Sequence, residues 1–280
     1  MIYYLSCTGN TYWAAKQLSD ATNDRMVSIF DAIEEGCICN LRDGERLGFC
    51  LPVHGWRVQP IVEKFIQQLN INSPKIKNES ITDKKKIYTY FLLTAGDSCG
   101  EYADQLEHLL ISKGLDVKTL CSLIMPESYV GLPFMDVDPA LRETEKKMNA
   151  RGIIQKFSDI IIDRRTTRMD ITCGKFPKLY SRVLGKFFYK YLITDKRFKV
   201  NENVCIGCGE CVKHCPVDNI KLCTNDNKKT VPQWENNGKC LTCMACYHYC
   251  PKKAIEFWRF TKNKGQYYYT HNQQNKNETY

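Results

Sequence analysis

The sequence predicts an α/β domain followed by a small cysteine-rich domain. Two observations carry that division. Strand-like runs alternate with helical runs from the first residues to about residue 163. Beyond residue 204, one cysteine pattern then occurs twice, C-x2-C-x2-C-x3-C-P, from Cys205 to Pro216 and from Cys240 to Pro251. At 280 residues, with 43% hydrophobic and 25% charged residues, the chain has the length for two cores and the balance of a globular protein. No apolar run approaches the roughly 20 residues of a membrane helix. Met1-Ile-Tyr-Tyr-Leu-Ser6 lacks a basic stretch and reads as a first strand, not as a signal peptide, so a cytoplasmic protein is expected.

The first strand, Ile2 to Leu5, runs into the turn Ser6-Cys7-Thr8-Gly9-Asn10-Thr11 and a helical run from Tyr12 to Leu18. A strand, a short hydroxyl-rich turn with one glycine and a helix start can present N–H groups and hydroxyls to a single anion. The turn has neither the lysine of G-x-x-x-x-G-K-[ST] nor the three glycines of G-x-G-x-x-G. The plain alternative is an ordinary helix start capped by Asn10 or Thr11. Met26 to Phe30 reads as the second strand and Arg46 to Leu51 as the third. After it come the loop Pro52, Val53, His54, Gly55, Trp56 and a helix opening at Pro60, with Ile61, Val62, Phe65, Ile66 and Leu69 on one face. Ile87 to Leu93 is a β-rich buried run. It leads into Thr94, Ala95, Gly96, Asp97 and on to a helix ending near Gly114. Val117 to Met125 completes five strands. A helix after Pro139, with Leu141, Met148, Ile154, Phe157 and Ile161 as apolar positions, closes the domain near residue 163.

The cysteine spacing is that of bacterial two-cluster [4Fe-4S] ferredoxins, and the region resembles them. Three thiolates two residues apart reach three corners of one cubane, and the fourth, held before its proline, turns to the other cluster. Cluster I is therefore expected on Cys205, Cys208, Cys211 and Cys250, and cluster II on Cys240, Cys243, Cys246 and Cys215. Paired zinc sites are the alternative, but they leave the third cysteine of each run without a role. Clusters of this kind need a reducing compartment. The remaining cysteines, Cys37, Cys39, Cys50, Cys99, Cys121, Cys173 and Cys223, read as small buried hydrophobes.

The first turn resembles the flavodoxin phosphate loop [ST]-x-T-G-x-T, with Ser6, Thr8, Asn10 and Thr11 in its hydroxyl and amide positions. Over nearly its whole length the chain resembles flavodoxin/ferredoxin fusions of the EFR type. The resemblance implies a flavodoxin-like doubly wound parallel sheet over residues 1–163, a basic helical linker over 164–200 and a small α+β two-cluster ferredoxin domain over 201–280. It also implies FMN bound at the switch point of the sheet, with Ser6 to Thr11 at the phosphate and residues 52–56 and 94–97 flanking the ring. Trp56 is then the residue to stack on the ring, and Gly55 and Gly96 allow close approach.

The net charge of +9 is concentrated between Arg164 and Lys199, where eleven Lys and Arg residues face only Asp170 and Asp195. Such a segment can steer an acidic redox protein, or it can be a solvated helix face. No nucleic-acid module accompanies it. The expected role is electron transfer between two clusters and FMN. The alternatives are a flavin-dependent reductase of a quinone or nitro compound, with the loop from Glu127 to Phe134 as its lid, and a redox sensor that binds a partner through the basic segment.

Overall fold

The computed structural model describes residues 1–74, 84–225 and 228–270. It divides into two compact units. The first comprises Met1–Ser6, Asn10–Pro126 and Ala140–Lys186; the second takes Cys7–Gly9, Glu127–Pro139 and the chain from Phe187 onward. The expected linker, 164–200, is thus shared between the units, and residues 271–280 of the expected last domain lie outside the described residues.

In the first unit the sheet strands are β1 (Ile2–Tyr4), β2 (Met26–Ser28), β4 (Leu47–Pro52), β6 (Thr89–Ala95), β7 (Val117–Ile124) and β8 (Thr167–Arg168). They pair in the order β2-β1-β4-β6-β7-β8, all parallel. Counting only strands of this sheet, the first five run 2-1-3-4-5, the flavodoxin-like order, with its switch point between β1 and β4. The central strands are apolar on both faces, and Phe49, Leu51, Phe91 and Leu93 are fully buried, as a sheet covered by helices on both sides requires. The covering helices are α1 (Asn10–Thr22), α2 (Ile29–Glu34), α3 (Pro60–Gln68), α4 (Tyr102–Ser112) and α5 (Ala140–Ile162).

Two features of this unit depart from the sequence reading. Cys37 and Cys39 flank or occupy a further strand, β3 (Ile38–Asn40), which pairs in parallel with β5 (Asn70–Asn72) outside the main sheet. In α5, Leu141 and Met148 are 88% and 64% exposed. The buried row is Glu143, Lys146, Ala150, Ile154, Phe157 and Ile161. Those spacings of three and four follow the helical period, and Leu141 and Met148 fall off the row. Lys146 is kept in it because its ammonium donates to the Gly96 carbonyl at 2.7 Å.

The second unit is built on two antiparallel pairs. β9 (Phe198–Val200) pairs with β12 (Ile255–Phe257), and β10 (Ile220–Thr224) with β11 (Thr230–Trp234). Short helices at Glu210–Lys213 and Ala245–His248 carry the third cysteine of each run. Phe198 stacks on Trp234 at 5.4 Å and meets Phe257 edge-on at 4.8 Å, which closes a core shared with Val130, Ile220, Met244 and Ile255.

Candidate functional site

Each cysteine run folds into a tight loop before its helix, and the loops match residue by residue. Gly207 and Thr242 are left-handed, at φ 66° and 50°. So are Gly209 and Met244, at φ 79° and 62°, each immediately before a short helix. These reversals turn successive cysteines inward. After the fourth cysteine of each run a backbone N–H points back at the sulfur, from Asn219 to Cys215 Sγ and from Ala254 to Cys250 Sγ, both at 3.2 Å. Hydrogen bonds to cysteine sulfurs are among the means by which a protein sets the potential of a cluster.

The eight cysteines line two cavities. One is lined by Cys205, Cys208, Cys211 and Cys250, with Pro251, Leu222 and Ile255. The other is lined by Cys215, Cys240, Cys243 and Cys246, with Phe198, Trp234 and Met244. Each cavity thus takes three cysteines of one run and the fourth of the other. Among the described residues no group of three or more His, Cys, Asp or Glu side chains is drawn together tightly enough for a single metal ion. Sulfurs spread around a cavity suit the corners of a cubane, and the residues present fit the group.

Residues 204–255 match the family model of a 4Fe-4S dicluster domain. The second unit carries a 4Fe-4S ferredoxin domain. It is similar to a ferredoxin of Pyrobaculum islandicum, 35% identical over 64 residues, which are 23% of this chain and 55% of that one. It is also similar to an uncharacterised protein of Methanocaldococcus jannaschii, 36% identical over 67 residues, 24% of this chain and 23% of that one. The chain therefore spans little more than half of one curated relative and about a quarter of the other. Among solved structures the first unit's likenesses include the two-electron reduced flavodoxin of Megasphaera elsdenii, 18% identical, covering 44% of this chain and 86% of that one at a TM-score of 0.31. A second is the Trp repressor binding protein of Bacillus subtilis, 16% identical, covering 54% and 94% at 0.33. The strand order itself carries the fold. The chain joins a flavodoxin-like domain to the ferredoxin domain.

The loops expected to hold a flavin leave the carboxyl ends of neighbouring strands, since Pro52 stands beside Thr94 across β4 and β6. At the first turn, Ser6 Oγ is buried without a hydrogen-bond partner, as a hydroxyl awaiting an anion would be. Thr11 Oγ1 lies 2.7 Å from Thr94 Oγ1, and Asn10 Nδ2 donates to the Pro126 carbonyl at 2.9 Å. Cys7, Thr8 and Gly9 are part of the second unit, where the Thr8 carbonyl accepts from Tyr269 N at 2.9 Å. Trp56, at φ 54°, stacks on Tyr180 with centroids 5.4 Å apart, and its Nε1 donates to Ser98 Oγ at 3.2 Å. Gly55 and Val53 share that loop. His54 is held neutral by burial, which lowers its pKa to about 4. Ala95 is buried at the end of β6, with Gly96 and Asp97 beyond it.

Sequence reasoning missed the segment that meets these loops within the first unit. Ser181, fully buried, donates to the Trp56 carbonyl at 2.7 Å and accepts from Glu101 N at 2.8 Å, while Arg57 donates to the Ser181 carbonyl at 3.1 Å. A Cβ on Gly185 would stand 2.5 Å from the Gly55 carbonyl oxygen. A basic stretch gave no signal for such contacts. The loop expected as a lid, Glu127 to Phe134, belongs to the second unit, with Val130 fully buried in its core.

Proposed function

We propose that the chain is an electron carrier in which two [4Fe-4S] clusters exchange electrons with FMN bound by the flavodoxin-like domain. The observation that supports this most is the pair of cavities, each lined by three cysteines of one run and the last cysteine of the other. In this reading Cys205, Cys208, Cys211 and Cys250 hold cluster I, and Cys240, Cys243, Cys246 and Cys215 hold cluster II. The clusters supply one-electron transfer and the flavin one- or two-electron transfer. The protein supplies binding, spacing and electrostatics. The N–H groups of Asn219 and Ala254 donate to the sulfurs of Cys215 and Cys250, and the buried walls of Phe198, Trp234 and Met244 keep water from the second cavity.

At the flavin loops the Ser6 and Thr11 hydroxyls bind the phosphate, and residues 52–56 and 94–97 bound the ring. Neutral His54 adds no charge there above about pH 4. The basic segment docks an acidic redox protein. Part of its charge is already paired, Arg182 with Glu101 and Arg168 with Glu107, which leaves that role to lysines such as Lys178 and Lys186.

Anaerobic purification tests this reading. We expect about eight iron and eight sulfide per chain, with one FMN. Electron paramagnetic resonance of the reduced protein should show two interacting clusters. Zinc in place of iron would end the cluster assignment, and full clusters without flavin would end the FMN assignment alone.

A further inference from the structure

The helical run that packs on the ring loops is inverted relative to an ordinary surface helix. Pro177–Leu179, the π-helical turn Tyr180–Leu184 and Gly185–Tyr191 follow one another without a break, and the run belongs to the first unit as far as Lys186. In that unit its buried positions are Ser181 and Gly185, four residues apart, with Tyr180 beside them on Trp56. Small residues allow this close seat, since Ser181 Oγ is 2.7 Å from the Trp56 carbonyl and a Cβ on Gly185 would stand 2.5 Å from the Gly55 carbonyl oxygen. Val183 lies two residues from each and so points away from them. It is 57% exposed, and Phe176, Leu179 and Leu184 are between 43% and 61% exposed. A helix on a globular protein normally buries its apolar residues and shows its polar ones. Here the contacts that fix the helix leave the apolar residues outside, as an interaction face does.

The same outer surface is positive. Lys175, Lys178, Arg182 and Lys186 are all exposed, and no acidic residue occurs between Asp170 and Asp195. Arg182 is held by Glu101 through two bonds of 2.7 Å, so the remaining charge is lysine. Protein–protein interfaces are rich in arginine and poor in lysine. Lysines beside exposed Phe, Leu and Val suit a bilayer surface, where the long stems lie along the apolar boundary and the ammonium groups meet lipid phosphates. Among the described residues no helix is long and apolar enough to cross a membrane, so the run lies on the surface and does not span it.

We propose that this face docks on an anionic phospholipid bilayer, with Phe176, Leu179, Val183 and Leu184 entering the interface and Lys175, Lys178 and Lys186 facing lipid phosphates. The contact is reversible, because a few apolar side chains bury far less than a spanning helix. Lys178 and Lys186 meet an acidic redox protein only when lipid is absent, so the two occupants exclude one another. The face includes neither the cysteine cavities nor the flavin loops, so cluster and flavin content do not bear on it.

Sedimentation of the full chain with vesicles tests this. Vesicles of equal parts phosphatidylcholine and phosphatidylglycerol should carry the protein down, and phosphatidylcholine alone should bind it about tenfold less, because the lysines lose their partners. Leu179→Ser/Val183→Ser/Leu184→Ser should bind the mixed vesicles about tenfold more weakly at low and at high salt, whereas Lys178→Gln/Lys186→Gln should lose binding chiefly at low salt, where charge is least screened. Circular dichroism checks that these exposed substitutions keep the fold. Val183→Trp should bind more tightly, with added fluorescence that shifts blue on mixed vesicles and is quenched by brominated lipid. Absence of binding by the unaltered chain overturns the proposal, as does equal binding to phosphatidylcholine alone. Full binding by the triple serine variant also overturns it, because the contact would then be charge alone, which an acidic protein serves as well. Should the serine variant fail to fold, Val183→Trp decides, and fluorescence unchanged by mixed vesicles overturns the proposal.

Discussion

The two cysteine runs are one sequence pattern in two different settings. In the first, the left-handed positions are glycines, Ile206 is 60% exposed and Cys208 is exposed. In the second, the equivalent positions are Thr242 and Met244, both fully buried, although a non-glycine residue there costs roughly 1–2 kcal/mol. The cost is met by tertiary contacts. Thr242 Oγ1 accepts from Thr194 N at 2.8 Å and donates to the Thr194 carbonyl at 3.3 Å, and Met244 packs so tightly on Gly131 that a Cβ there would lie 2.5 Å from its methyl. The first run is shaped by local backbone chemistry. The second is shaped by the residues packed around it.

The largest test of this contrast is ligation. Cys215→Ala should abolish cluster II and halve the iron while leaving cluster I, and Cys250→Ala should do the reverse. Resolved paramagnetic spectra decide it, and loss of the cluster of the residue's own run in either variant would refute the crossed assignment. Next is the order of decay. Under oxygen or a strong chelator the exposed first cluster should be lost about tenfold faster, on the order of 1.4 kcal/mol in barrier. Equal rates would mean that burial of Met244 and Cys246 gives no protection.

Core substitution gives a smaller but clear effect. Met244→Ala should destabilise the ferredoxin unit by about 2–4 kcal/mol through the cavity it leaves, whereas Ile206→Ala should stay within about 0.5 kcal/mol. Denaturant unfolding of the anaerobic, cluster-bound protein measures both. The smallest pair sharpens the backbone argument. Gly207→Ala should cost about 1–2 kcal/mol, because its φ is 66° and the new Cβ would stand 2.9 Å from the Thr230 carbonyl. Thr242→Gly should lie within about 1 kcal/mol of no change, since strain relieved offsets hydrogen bonds lost. A large loss from Thr242→Gly would show that its hydroxyl, not its backbone, holds the loop.

How far the sequence could be read follows the same contrast. Repeated cysteine spacing, β-rich runs and turn glycines act over a few residues, so the sequence alone determined the two matching cysteine loops, the five main strands and the α/β class. The strand order then confirmed the flavodoxin-like sheet. The apolar face of α5 was misjudged at Leu141 and Met148 because a buried Glu143 and Lys146 break the link between burial and hydrophobicity. What only the tertiary structure decided are contacts between residues far apart in the chain: Tyr180 on Trp56, Val130 in the ferredoxin core, and Tyr269 N on the Thr8 carbonyl. None of these leaves a local pattern. Each exists because folding brings a distant side chain to a surface whose own sequence does not name its neighbour.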